Sequence, residues 1–338
     1  MHYRKSEAKS WAREHMRGVC NVIMPTFTSD LKSLNEQAIR HDVRRNIELG
    51  FWGSLAVSEC GTTKDEYVRF LELVLDEGNG RLKTVVHGSF DTLADLIEVC
   101  RRAEEVGAHS LLLSYPPTFY PRNDQDIYDF TAAALAEVRL ATILFPVHQW
   151  NFDRVHPACF SIDLADRLAD LPNAVAIKCE GGPPGNGALV ELLDRCFDRL
   201  LISDPRESSA PGWIKMFGMQ WMGTSNFEYF GSTVPRYFDA MHKGNWKAGM
   251  ELYWQMHPAR TARLADMQSF AGAYFIHRPS WKYQGWLNNF NGGPLRMPVM
   301  RLSDGGTKRL RDAAVRSKLI DEAMSGSLDD YYRGRHPA

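Results

Sequence analysis

No apolar run in the chain approaches the ~20 residues that a bilayer-spanning helix needs. The opening residues include Arg4, Lys5, Glu7 and Lys9 and lack the apolar core of a secretory signal. Neither sign of charge predominates: 40 basic residues face 41 acidic ones, for a net charge of −1. With the two signs interspersed, neither a nucleic-acid backbone nor an anionic membrane is expected as a partner. Cysteine is sparse. The six thiols, at 20, 60, 100, 159, 179 and 196, form no CxxC and no ligand-spaced cluster with histidine. A zinc site is therefore not expected, and reduced thiols in a cytoplasm fit best. No GxGxxG follows the first apolar run, which argues against a dinucleotide-binding fold. The Gly181 to Gly187 stretch has no lysine or serine at P-loop spacing and reads as a pocket-rim loop.

What the chain does have is a repeated alternation of short apolar runs with longer amphipathic stretches. The runs Val19 to Pro25, Ser54 to Val57, Lys83 to Val86, His109 to Ser114, Ala141 to Phe145, Ala174 to Ile177, Leu200 to Ser203 and Gln220 to Ser225 read as strands. Helical stretches between them include Asn35 to Leu49, with Ser33 as a candidate N-cap, and Ile162 to Ala169. Short apolar strands alternating with helices imply a parallel sheet covered on both faces. About eight such units predict a closed α/β barrel, (β/α)₈, over residues 17–230. The last barrel helix and a C-terminal helical extension are expected over 231–325, with helices at Val234 to His242, Trp246 to Arg263, Trp281 to Asn289 and Lys308 to Met324. Residues 1–16 and 326–338 read as tails, the C-terminal residues from 325 on as polar and frayed.

In such a barrel, functional side chains come from the C-terminal ends of the strands. The leading candidate is Lys178, which ends the run Ala174-Val175-Ala176-Ile177. A lysine in an apolar enclosure is more readily deprotonated, and its neutral amine can attack a carbonyl to form an imine. A lysine at a strand end that merely reaches solvent is an equally good reading of position alone. Ser58, Glu59, His87, Tyr115, Phe145, His148, Glu180, Asp204, Ser225 and Asn226 stand at the other strand ends or just beyond them. Trp150 adds an aromatic wall beside His148, although packing elsewhere is an equal reading of that residue.

Several segments together carry a resemblance. They are Arg17-Gly18-Val19 through Met24-Pro25-Thr26-Phe27; Ser58-Glu59-Cys60 with Thr63 and Glu66; and Pro116-Pro117-Thr118-Phe119-Tyr120 through Ile127-Tyr128. Ala176-Ile177-Lys178, Gly244-Asn245-Trp246 with Ala248, and Leu295-Arg296-Met297-Pro298 complete the set. Over residues 17 to 302 the chain resembles the dihydrodipicolinate synthase / N-acetylneuraminate lyase family of Schiff-base aldolases. The resemblance implies a barrel with a C-terminal helical region, commonly a tetramer, with Lys178 as the imine-forming residue.

Departures from the family pattern sharpen the expectations. The family's paired hydroxyls, which hold the substrate carboxylate, match Ala56 and Val57, with Ser58 replacing the following glycine. Its proton-shuttling tyrosine matches Phe145, and the second tyrosine of its PPYY segment matches Phe119. Phenylalanine carries no proton, so the relay passes to another group, with His148 and Tyr115 the first choices. Glu59 reads as a loop-fixing residue. Ser58, Glu59, Phe119, Phe145, Trp150, Glu180, Asp204, Ser225 and Asn226 are candidate substrate contacts in an aromatic-rich pocket. The expected activity is a carbon–carbon lyase or hydratase-aldolase acting on a pyruvate-like 2-keto acid. It needs no metal or organic cofactor, because the lysine supplies the electron sink. A dehydratase or decarboxylating variant of the same imine, or a catalytically silent ligand-binding homologue, are the alternatives.

Overall fold

A computed structural model describes residues 3–180, 186–271, 278–297 and 300–338. In chain order its elements are α1 (Ala8–His15), β1 (Gly18–Ile23), α2 (Glu36–Glu48), β2 (Gly53–Ala56), α3 (Lys64–Gly78), β3 (Lys83–Gly88), α4 (Leu93–Glu105), β4 (Ser110–Leu113) and α5 (Asp124–Glu137). Then follow β5 (Ala141–Leu144), α6 (Ile162–Ala169), β6 (Ala174–Lys178), α7 (Asn186–Cys196), β7 (Leu201–Ser203), α8 (Ala210–Phe217) and β8 (Trp221–Gly223). Six further helices close the sequence: α9 (Thr233–His242), α10 (Trp246–Gln255), α11 (His257–Ala271), α12 (Arg278–Leu287), α13 (Asp304–Arg316) and α14 (Leu328–Arg333). The eight strands form one sheet in the order β7-β6-β5-β4-β3-β2-β1-β8. It is the sheet of a (β/α)₈ barrel. Its two end strands, β7 and β8, meet where the Ser203 hydroxyl accepts from the Gly223 N–H at 3.2 Å. Strands β2, β4, β5, β6 and β7 are buried at every position, as parallel strands covered on both faces must be.

The chain divides into two compact units, Met1–Gly18 with Thr84–Thr224, and Val19–Lys83 with Ser225–Ala338. In the first, the N-terminal segment is anchored where a tail was expected. Tyr3 stacks on Trp11 of α1, donates to the His109 carbonyl and accepts from the Ala141 N–H at 2.7 Å. Two aromatics thus dock a segment whose charged residues suggested solvent. The helix α8 had no expectation at all. Its eight residues bury Trp213 and Ile214, but its first turn contains Pro211-Gly212, which in sequence reads as a turn.

In the second unit, Glu66 forms the capping box of α3 with Thr63 and pairs with Arg296 at 2.6 Å. Arg296 lies 4.1 Å over the Phe27 ring, so three of the resembling segments meet in one structural contact. Asn35, not Ser33, caps α2: its side chain accepts from the Ala38 N–H at 3.0 Å. The helix expected over Trp246 to Arg263 is broken at Met256 into α10 and α11. Pro258 explains the break, since its ring clashes with the carbonyl four residues back and it has no N–H to give. The helix expected to reach Met324 stops at Arg316, where Lys318 takes a positive φ of 52°. The C-terminal residues are not frayed. Tyr331 of α14 is wholly buried, edge-on to Tyr283 and Trp286 at 5.5 and 5.9 Å. Beyond it, Arg335 donates to the Trp286 carbonyl at 2.8 Å and His336 to Asn291. One buried aromatic outweighs the polar composition around it.

Candidate active site

Within the first unit, Lys178 is the last residue of β6 and is 4% exposed. It is paired in register with Ser203 of β7. The ladder continues past it: Cys179 donates to the Ser203 carbonyl at 2.8 Å and Glu180 to the Pro146 carbonyl at 3.1 Å. Val147 and Glu180 form a further parallel bridge. Because the chain stays extended, residues 178 and 180 project to the same side. The Lys178 Nζ lies 2.9 Å from Glu180 Oε1 and 3.9 Å from the centroid of the Phe145 ring. A cation held by one carboxylate and one aromatic face is the core of the site. The two-residue spacing was the signal that could have ranked Glu180 above the other candidates.

The aromatic wall is built as a rigid unit. Trp150 donates from Nε1 to the Phe145 carbonyl at 2.8 Å and sets its ring edge-on to Phe145 at 5.9 Å. Two 3₁₀ turns, His148–Trp150 and Phe152–Arg154, are joined through Asn151, whose positive φ of 57° asparagine tolerates well. His148 is half-buried at the start of the first turn, and its carbonyl accepts from Asn151. Tyr115 packs among Phe119, Phe130, Trp150 and Phe152. Its hydroxyl bonds to Thr131 of α5 at 2.7 Å, and burial pushes its pKa above the ordinary tyrosine value. Tyr115 and Phe119 therefore appear as packing aromatics behind the wall.

Asp204, expected to meet substrate, is instead wholly buried and spoken for. It accepts from Arg206 Nε and Nη2 at 2.8 Å each, from the Arg206 N–H at 2.9 Å and from Trp213 Nε1 at 3.0 Å. Arg206 was absent from the sequence-derived candidates. Its side chain is 49% exposed, and the Asp204 hydrogen bonds raise its pKa against burial, with the charges of Asp204 and Glu180 adding to the effect. The signal was there: Arg206 follows β7 by three residues, in the loop that a barrel uses for chemistry.

The remaining candidates belong to the second unit. Glu59 is paired with Arg278, which stacks 4.5 Å over Trp281. Ser58 is buried just ahead of it. Ser225 accepts from Arg263 at 2.8 Å, and Asn226 donates to Gln284 at 2.6 Å. Both residues are tied into a buried polar network rather than presented to an opening, because the residues after β8 turn at once into the 3₁₀ turn Phe227–Phe230. The loop residues 181–185 that follow Glu180 lie outside the described residues. All six cysteines are buried thiols, and among the described residues no helix is long and apolar enough to cross a membrane.

Comparison with known proteins places these features in context. A family model described as the dihydrodipicolinate synthetase family matches residues 15–310. A 4-hydroxy-tetrahydrodipicolinate synthase from Methanospirillum hungatei is 22% identical over 303 residues, spanning 87% of this chain and 97% of its own. The enzyme of that name from Methanopyrus kandleri is 29% identical over 266 residues, 74% of this chain and 82% of its own. The crystal structure of N-acetylneuraminate lyase from Fusobacterium nucleatum superposes with a TM-score of 0.72 at 16% identity, covering 91% of this chain and 100% of that one.

Proposed function

Because this chain belongs to the dihydrodipicolinate synthetase family, a family of aldolase-type lyases, we propose that it acts through an imine between Lys178 and a 2-keto acid. The observation that carries this reading is the 2.9 Å pair between buried Lys178 and half-buried Glu180. In the pair the lysine is an ammonium, which is no nucleophile. Glu180 is within hydrogen-bond reach and takes the proton, freeing the amine to attack the keto carbon. The amine adds to the keto carbon and passes one proton to the oxygen, giving a carbinolamine; its hydroxyl then leaves as water with the proton held by Glu180, and the iminium inherits Lys178's place over Phe145. Glu180, again a carboxylate, then withdraws a proton from the adjacent carbon, leaving an enamine that adds to an aldehyde. Glu180 thus fills the role that Phe145 cannot. Tyr115 is the poorer relay, since its hydroxyl is engaged by Thr131. His148, at the rim, is suited to the second carbonyl's proton.

The test is borohydride reduction in the presence of pyruvate, followed by peptide mass mapping. A reduced adduct on Lys178 that disappears in Lys178→Ala is the expected result; an unmodified protein overturns the reading. A dehydratase shares the adduct and is separated from a lyase by whether the adduct releases water or joins an aldehyde. The family resemblance also implies a tetramer, for which the mass in solution by light scattering is the check.

A further inference from the structure

A keto acid brings a carboxylate, and the hydroxyl pair that holds it in the resembling family is replaced here by Ala56 and Val57. We propose that Arg206 receives the substrate's carboxylate, held in position from behind by Asp204; this rests on the reading of Lys178 as the reacting amine. Three observations converge on it. Asp204 is wholly buried, and two of its four hydrogen bonds come from the guanidinium edge, so the fork is fixed while its side chain stays about half exposed. A guanidinium carries five N–H groups, and the two given to Asp204 leave three for a ligand. The placement along the sheet agrees: Ser203 pairs in register with Lys178, and Arg206 lies three residues further on in the loop after β7.

The chemistry fits the order of events. The planar fork of arginine matches a carboxylate bidentately, which a lysine or a lone hydroxyl does not. Before substrate arrives, two cations and two anions balance across Lys178, Glu180, Asp204 and Arg206. Once Glu180 has taken the lysine's proton it no longer repels an incoming carboxylate, and the guanidinium is the cation left to meet it. Asp204 is then a positioning residue, whose buried charge keeps the fork turned to the ligand.

The experiment compares pyruvate with pyruvamide, its neutral isostere, in two settings. One is the concentration dependence of borohydride trapping in the full protein; the other is calorimetric binding to Lys178→Ala, which forms no imine. Arg206→Gln should weaken pyruvate about tenfold to a hundredfold, the usual loss for a charge-assisted hydrogen bond, and leave pyruvamide unchanged. Arg206→Lys should fall between. Since Arg206→Gln strands a buried carboxylate, the double variant Asp204→Asn/Arg206→Gln, which removes both charges, controls for misfolding and should show the same selective loss. Trapping on Lys178 with pyruvate and pyruvamide equally affected, or neither, overturns the role of Arg206 while leaving the imine intact. Loss of trapping in the unmodified protein together with Arg206-dependent pyruvate binding in Lys178→Ala overturns the imine and upholds the anion site. Failure of both overturns both.

Discussion

At the scale of single residues, the site turns on which group faces the lysine. Lys178 was legible because a charged residue ending an apolar strand is conspicuous, and its place at the barrel's strand ends is where chemistry belongs. Glu180, Asp204 and Ser225 all looked alike as polar residues near strand ends. Contacts separate them: Glu180 reaches Lys178, Asp204 is committed to Arg206 and Trp213, and Ser225 to Arg263. Two predictions belong here. Glu180→Gln keeps the shape and removes the base, so trapping of pyruvate on Lys178 should slow by about 10²–10⁴-fold, as for loss of a general base. An unchanged trapping rate would assign the proton to another group. Tyr115→Phe should leave the trapping rate within about threefold and cost about 1 kcal/mol of stability in a urea titration, from the lost bond to Thr131.

At the scale of elements, the strands were readable to within a residue or two because burial on both faces writes itself as continuous apolar sequence. Short helices were read unevenly: α6, of eight residues, was legible from its amphipathic sequence, whereas α8 opens with Pro211-Gly212, a pair that reads as a turn, and the six-residue α14 lies in polar surroundings. What places α14 is Tyr331, a single side chain whose partners Tyr283 and Trp286 lie some 50 residues away in sequence. Tyr331→Ala should therefore destabilise the protein by about 3–5 kcal/mol in denaturant, the cost of emptying an aromatic site in a core. A frayed C-terminus would give a change near zero. The split of α10 from α11 was available from Pro258, whose meaning inside a helical pattern is a break.

At the scale of the whole molecule, stability is coupled to pH through a cluster in the second unit. Asp42, Glu228 and Lys282 line a cavity of about 10 Å³, room for a single water molecule. Lys282 donates to the Pro25 carbonyl at 2.8 Å, and Asp42 accepts from the Asn291 N–H at 2.6 Å. Burial raises the pKa of Asp42 above its ordinary 3.8 and lowers that of Lys282 below its ordinary 10.5. The favourable contribution of Asp42 is complete below its ordinary value and is lost as pH rises through the folded one. That of Lys282 is complete above 10.5 and is lost as pH falls through its folded value. With Asp42 raised to about 7 and Lys282 lowered to about 8, both groups titrate near neutrality, where burial disfavours each charge. Replacing both residues, as Asp42→Asn/Lys282→Met, should thus be close to neutral at pH 7.5, whereas Asp42→Asn alone, which takes away the charge that favours the Lys282 ammonium, should be the more destabilising change. Thermal melts across the pH range measure both. Equal losses in the single and double variants would mean that the two groups do not compensate one another.

In the proposed reaction, the ladder that runs on past Lys178 would also govern timing. The amides of Cys179 and Glu180 are bound to the ends of β7 and β5, so the backbone that carries the carboxylate has little freedom to swing. A proton crossing from nitrogen to oxygen then travels over a gap set by the strand rather than by chance encounters of two loose side chains. Shortening that arm by one methylene, in Glu180→Asp, cannot be recovered by a shift of the main chain. The cycle would have to wait on a bridging water, and its rate would acquire a larger solvent deuterium isotope effect.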